Sequence, residues 1–221
     1  MGAGVAESSL SVMIAYSFIL ARFDRKLTFP YRMASVKTGL PAYAYVVLIV
    51  GFAAWFLPFP LAGWSRKSPQ KRDSRWRWGL LLEAAGYVIL WQGPFWSRPL
   101  PSWRPALSVL FLALASLLSW TSTRALGRYL RFEAAVDEDH QLIRSGPYRV
   151  VRHPIYASML CVFLGMGFMV APPLHFVVGL IFFIAGTEIR VRVEDRLLAD
   201  RFGEEFREYR RSTPAYIPLL R

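Results

Sequence analysis

Two histidines, three arginines and two tyrosines are gathered between His140 and Tyr156, in the run HQLIRSGPYRVVRHPIY, with long uncharged stretches on either side. Polar groups at a membrane edge cost free energy to bury, so such a collection is by default a candidate for function. Gly146-Pro147 supplies a turn at which the backbone can approach a ligand closely. His153 directly precedes Pro154, which suits the first turn of a helix because its φ is fixed and it has no N–H to satisfy. The imidazole and the free N–H groups of that helix are then held at one membrane edge, a setting suited to a carboxylate or other polar group. Downstream, Arg190 and Glu194 are spaced to share one helical face. If the apolar run before them folds as a hairpin, His153 and Glu194 become neighbours. Taken singly, these residues also suit plain interfacial anchors, and Arg190 with Glu194 an ordinary surface pair. His140 and His153 lack a third or fourth zinc ligand at a recognisable spacing, so no metal site is expected.

The elements that must position these groups are apolar. The chain has 221 residues, 54% of them hydrophobic, and a mean hydropathy of +0.30, more apolar than an ordinary soluble domain. Its net charge of +12 comes from basic residues set between apolar segments, not on one face or in one tail. Lipid headgroups and the positive-inside bias account for that pattern, and nucleic acid is not expected as a partner. The single cysteine, Cys161, excludes an intramolecular disulfide framework. The start, MGAGVAESS, has no basic n-region, and Ala6 stands where a myristoylation signal has Ser or Thr.

In chain order, the uncharged runs are Ser8 to Ala21, Leu40 to Trp64, Trp78 to Trp96, Pro105 to Thr123, and Pro154 to Thr187. The first barely reaches across a hydrocarbon core of ~30 Å. Pro58 and Pro60 are expected to bend or end the second. Glu83 sits in the first two turns of the third, near Arg75 and Arg77, where it is expected to snorkel or pair at the interface. Pro172-Pro173 divides the last run into a helical hairpin, and Gly165, Gly167 and Gly179 predict close packing within it. Arg124 to His153 is polar, an amphipathic surface segment followed by an acidic turn. Glu188 to Arg221 is charged, helical in pattern, and broken by Pro214 and Pro218.

The expected fold class is therefore an all-α integral membrane protein of about six transmembrane helices, with a C-terminal hairpin and a polar region on the cytoplasmic side. Residues 1–123 are expected to form N-terminal transmembrane helices and 124–221 a core that gathers the candidate functional groups. The loop Ser65 to Arg77 holds the densest basic cluster and belongs on the cytoplasmic side. Six spans put the His140 segment there too, although Arg22, Arg25, Lys26, Arg32 and Lys37 then face outward. An arginine-rich, cysteine-poor chain suits a bacterial inner membrane.

The run H-x-L-(I/V)-x-x-G-P-Y-x-x-V-R-H-P-x-Y, an apolar hairpin, then R-x-x-x-E-(D/E)-x-x-L-x-x-x-F-G-E-E-(F/Y)-x-x-Y and a closing I-P resembles the isoprenylcysteine carboxyl methyltransferase family. That family is related to the membrane phospholipid N-methyltransferases. The likeness covers roughly Ala125 to Pro218. It implies S-adenosylmethionine as cofactor, leaving as S-adenosylhomocysteine, held by His140, Gln141, Leu142, Ile143, Tyr148, His153, Pro154, Ile155, Tyr156 and Glu194, with Glu133 a weaker match. It implies Arg190 as the catalytic residue, on the acceptor side of the transferred methyl. Ser158 departs from a common Gly, and Asp195 from a second Glu.

S-adenosylmethionine carries a sulfonium, an ammonium, a carboxylate and an adenine, so its site needs an acid, donors and apolar or aromatic walls. Glu194 supplies the acid, His153 and the helix start the donors, and Tyr148, Tyr156 and Ile155 the walls. Transfer to an ionised carboxylate or thiolate needs collinear placement and partial desolvation but no general base. An amine must lose a proton, to a group such as Glu83 or a tyrosine. Three readings stand: a methyltransferase for the carboxylate of a prenylcysteine-like or other lipophilic acid; a phospholipid or amine N-methyltransferase or small-thiol S-methyltransferase on the same core; and a sterol-reductase-like or non-catalytic membrane protein. R-H-P-x-Y with R-x-x-x-E argues against the reductase. The expected partners are the bilayer and a lipophilic or lipidated substrate; the sequence does not give the oligomeric state.

Overall fold

Uncharged runs become helices, several of whose ends lie at proline and others at the positive-φ glycines Gly127 and Gly203. The computed structural model describes residues 40–62, 71–92, 100–130, 135–136 and 141–218. The expected first span, Ser8 to Ala21, and the basic loop after it lie outside the described residues. Thr38–Arg221 form one compact unit. Its helices are α1 (Ala42–Phe56), α2 (Pro58–Ala62), α3 (Trp76–Leu90), α4 (Trp103–Leu126), α5 (Pro154–Val170), α6 (Pro173–Phe202) and α7 (Glu204–Ser212). A two-residue antiparallel ladder pairs Lys71 with Val136 and Arg72 with Ala135. It joins the loop before α3 to the polar segment after α4.

Among the described residues, three stretches are long and apolar enough to cross a membrane: Ala42–Ala62, Trp103–Leu126 and Pro173–Phe202. The chain is thus an all-α membrane protein. Helix α5 is apolar but has 17 residues, and α3 has 15, shorter than the Trp78 to Trp96 span expected from the sequence. Exposed apolar side chains such as Ile49, Val50, Leu110, Leu117, Val177 and Ile181 suit contact with lipid.

Pro58 cannot donate to the Ala54 carbonyl, and α1 gives way to α2 there. The freed oxygen accepts a bond from Trp120 Nε1 at 3.1 Å, and the Trp55 carbonyl accepts one from Ser119 Oγ at 2.6 Å. Trp55 Nε1 in turn donates to Ser158 Oγ at 3.0 Å. Ser158 therefore ties the first turns of α5 to α1. At the opposite end, Arg104 donates to the carbonyls of Phe168 and Ala171 at the end of α5 and shares that of Gly167 with the Ala171 N–H.

The hairpin forms at Pro172-Pro173, and of the three expected glycines Gly167 packs closely within it, since a Cβ there would lie 2.3 Å from the Phe176 ring, while the other two turn chiefly to neighbouring helices. Gly165 faces Leu112 and Ser108 of α4, and Gly179 faces Gly86 of α3. Helix α5 lies along α4 and α6 along α3; the hairpin's own helices meet through aromatic rings, Phe163 with Phe183 at 4.7 Å and Phe168 with Phe176 at 5.0 Å. Rings of that size hold two helices apart, whereas facing glycines let backbones touch.

Gly79 and Gly86 on α3 meet Gly186 and Gly179 on α6 in antiparallel order. A Cβ on Gly186 would lie 2.4 Å from the Gly79 carbonyl oxygen and 2.8 Å from the Glu83 nitrogen, both backbone atoms that cannot swing aside. Gly186→Ala is therefore expected to cost about 1–3 kcal/mol of stability through forced separation of α3 and α6. Thermal unfolding in detergent measures this, and an unchanged midpoint would show that the seam is not as tight as described.

Candidate active site

As expected, the hairpin's second helix continues past its apolar part: α6 runs unbroken from Pro173 to Phe202, and its first break comes at Gly203, before Pro214. Arg190 lies about 26 Å along it at the standard helical rise, near one edge of a hydrocarbon core. The rigid helix carries Arg190, Glu194 and Asp195 past the start of α5, whose N-cap is His153 and whose first residue is Pro154. Local covalent geometry and one hairpin thus bring the two motifs together.

His153 Nε2 lies 2.8 Å from Asp195 Oδ1, and His153 Nδ1 lies 3.2 Å from Glu194 Oε2. Burial works against an imidazolium here, but the hydrogen bonds and charges of Asp195 and Glu194 outweigh it and raise the His153 pKa to about 9. His153 is then a cation donating from both ring nitrogens to protein carboxylates. Both ring nitrogens are thereby committed to protein carboxylates, and the imidazole holds Glu194 in place. Tyr156 donates its hydroxyl to Glu194 Oε1. Glu194 is held by two donors while its side chain stays 30% exposed, so it has acceptor capacity left on its open side.

Asp195 is engaged by cations of the protein itself. It accepts from Arg152 Nη2 at 3.1 Å and lies 3.8 Å from Arg210 Nε. Arg152 also donates to the carbonyls of Thr213 and Arg210, while the backbone N–H groups of Arg152 and His153 donate to Pro214 and Ala215, each at 2.8 Å. The chain after α7 is thereby strapped onto the start of α5, with Tyr216 buried among Val151, Tyr156, Ala157 and Val191.

Of the other residues expected at a cofactor site, Pro154, Tyr156 and Tyr148 are buried and Ile155 half-buried around the same helix start. Gln141 is exposed, and Leu142 and Ile143 half-buried, in the loop that leads to Gly146, whose φ of +57° suits glycine. Arg144 anchors that loop, meeting the Glu205 carboxylate and carbonyl at 2.9 Å and covering the Tyr209 ring. Tyr209 donates its hydroxyl to the Tyr148 carbonyl. Glu133 and His140 lie outside the described residues.

Arg190 and Glu194 do not pair with each other. The Arg190 guanidinium lies over the Tyr156 ring, 4.7 Å from its centre, and donates from Nη1 to Glu83 Oε2 at 2.6 Å. Glu83 is 2% exposed and also accepts from Thr187 Oγ1 at 3.0 Å, so it does not snorkel to the interface. Its sequence position near a helix end misled because α3 and α6 cross closely there, covering it. The sequence gave no sign of the partners of Arg152 or of the 213–216 strap, although all of them lie inside or beside the two motifs. A lone acid in an apolar run was the available signal for Glu83.

Residues 103–205 match the family model described as phospholipid methyltransferase. Among curated proteins, the chain is 40% identical over 83 residues to a cobalt-zinc-cadmium resistance protein of Cupriavidus metallidurans, covering 38% of either chain. It is 28% identical to the protein-S-isoprenylcysteine O-methyltransferase of Schizosaccharomyces pombe, over 52% of this chain and 55% of that one. It is 29% identical to methanethiol S-methyltransferase 1 of Bradyrhizobium diazoefficiens, over 61% of this chain and 50% of that one. The chain thus spans between 38% and 55% of the lengths of these three relatives.

Proposed function

We propose, on the premise that residues 103–205 belong to the phospholipid methyltransferase family, that this protein is a membrane methyltransferase which takes its methyl group from S-adenosylmethionine and gives it to a lipophilic small acceptor. The observation that carries this reading is Glu194, fixed by Tyr156 and His153 yet partly open, beside the start of α5. A fixed carboxylate, helix N–H groups and aromatic walls within one turn fit an amino-acid-bearing sulfonium. When bound, S-adenosylmethionine supplies an electrophilic methyl on a cationic sulfur.

The protein's own groups do the rest. Glu194 binds a cationic group of the cofactor. Tyr148, Tyr156 and Ile155 wall off water, and Arg190 orients an anionic acceptor whose tail enters from the bilayer. Desolvation favours the step because opposite charges on nucleophile and sulfonium vanish together. The favoured acceptor is the carboxylate of a prenylcysteine-like or other lipophilic acid. A thiol is the second reading, supported by the alignment with the methanethiol enzyme over 61% of this chain. A phospholipid or other amine is served less well, because Glu83, one acceptor for its proton, already takes bonds from Arg190 and Thr187, and the Tyr156 hydroxyl is already engaged by Glu194. The site end is assigned to the cytoplasm of a bacterial inner membrane, supported by the ladder that joins it to the basic loop before α3.

The test is methyl transfer from radiolabelled S-adenosylmethionine by protein in liposomes, offered N-acetyl-S-farnesylcysteine, a long-chain thiol or a long-chain amine. Label is expected in the acid or the thiol and not in the amine. Folded protein that labels none of them would sink the proposal.

A further inference from the structure

Arg190 is 6% exposed and sits between two helices, only one of which lies within the matched residues 103–205. A buried guanidinium needs a counter-charge, and here that comes from Glu83 of α3, outside the match. Three features of α3 and α6 converge on this contact. Gly79 clears the path of the arginine: a Cβ there would lie 2.5 Å from Arg190 Cγ and 3.3 Å from its Cδ. Gly186, one α-helical turn before Arg190, brings the α3 backbone into contact. Thr187 bonds Glu83 Oε1 and leaves Oε2 for Arg190 Nη1.

The guanidinium is thereby divided. Its face lies over Tyr156 and Nη1 is taken by Glu83, while Nε is buried without a hydrogen-bond partner. A buried donor left unpaired is costly, and one such group beside the fixed Glu194 points to a ligand that completes it. We propose that Glu83 is a positioning residue of the methyl-transfer site: it fixes the Arg190 guanidinium so that its Nε edge receives the anionic atom of the acceptor. This rests on the methyltransferase reading and extends it, because it makes the N-terminal helices part of the reaction site, not only a path to it. Fixing one edge leaves a narrow donor for the acceptor, which is the preorganisation a collinear transfer requires.

The acceptor being unidentified, the probes are N-acetyl-S-farnesylcysteine and a long-chain thiol in the liposome assay, with S-adenosylhomocysteine binding measured separately on the same protein. Glu83→Gln keeps the shape and removes the charge. It is expected to lower kcat by about ten- to a hundredfold and to change acceptor KM, while the affinity for S-adenosylhomocysteine stays within about twofold of wild type. Glu83→Asp should recover part of the loss. Glu83→Gln with Arg190→Lys should fall no further than Arg190→Lys alone, since both act through one guanidinium. Independent, multiplicative effects, or a Glu83→Gln enzyme with wild-type kcat and KM, would overturn the inference and leave the methyltransferase reading intact. A folded wild type that neither binds S-adenosylhomocysteine nor transfers label would instead overturn that reading and the inference with it.

Discussion

Glu194→Ala is expected to abolish the thermal stabilisation that S-adenosylhomocysteine gives the wild-type protein. A ligand present at about a hundred times its dissociation constant stabilises the folded state by roughly 2.7 kcal/mol. For a chain of this size that is a rise of about 5–10 °C in Tm. Glu194 is the carboxylate whose two protein donors, Tyr156 and His153, fix it without enclosing it. Alanine removes the acceptor, whereas Glu194→Gln keeps the shape and loses the charge, so a cationic ligand group separates them from wild type in the same direction. The measurement is differential scanning fluorimetry in detergent with and without millimolar S-adenosylhomocysteine. A variant that keeps the full shift would show that the cofactor is held elsewhere.

Asp195→Ala is expected to carry the largest stability loss in the site. It would leave Arg152 and His153 buried without the carboxylate both bond, and breaking a buried pair from one side costs about 3–5 kcal/mol. Asp195→Asn retains an acceptor and should lose less. The same contacts impose a pH dependence. His153 has its pKa raised from the usual histidine range to about 9, so its stabilisation is complete below about pH 6.5 and is lost as pH rises toward 9. The window is worth about 3 kcal/mol at roughly 1.4 kcal/mol per tenfold change in proton concentration. Melting of the wild type in detergent between pH 6 and 9.5 should therefore show a falling midpoint. Asp195→Ala should start lower and fall less, because only Glu194 remains on the imidazole. A wild-type midpoint that is flat across this range would contradict the charged, doubly bonded histidine.

The order of helices was legible from apolar runs and proline because both act locally. Pro58, Pro154 and Pro172-Pro173 remove donors or fix φ wherever they stand, and the boundaries of α1, α5 and α6 follow. The meeting of His153 with Glu194 was legible for a related reason: one hairpin of known rise returns the chain to its starting level. The continuation of α6 past Arg190 and Glu194 was legible too, since a change from apolar to charged residues marks the passage from lipid to water and not the end of a helix; its break at Gly203, ahead of Pro214, was not.

Which helix lies against which was decided only by the tertiary structure. Lipid tails are as apolar as leucine, so hydropathy does not say which face of a spanning helix meets protein. Gly179 was expected to pack the hairpin and instead meets Gly86, and Glu83 was expected at the interface and instead lies buried against Arg190. Both outcomes depend on the rotation of α3 about its axis, set by the mutual fit of four glycines far apart in sequence. The sequence by itself therefore determined the membrane class, the helix limits set by proline and the pairing of the two motifs, each governed by local stereochemistry. The fold alone decided that α3 supplies the counter-charge of Arg190, because close approach in lipid is a property of two surfaces together.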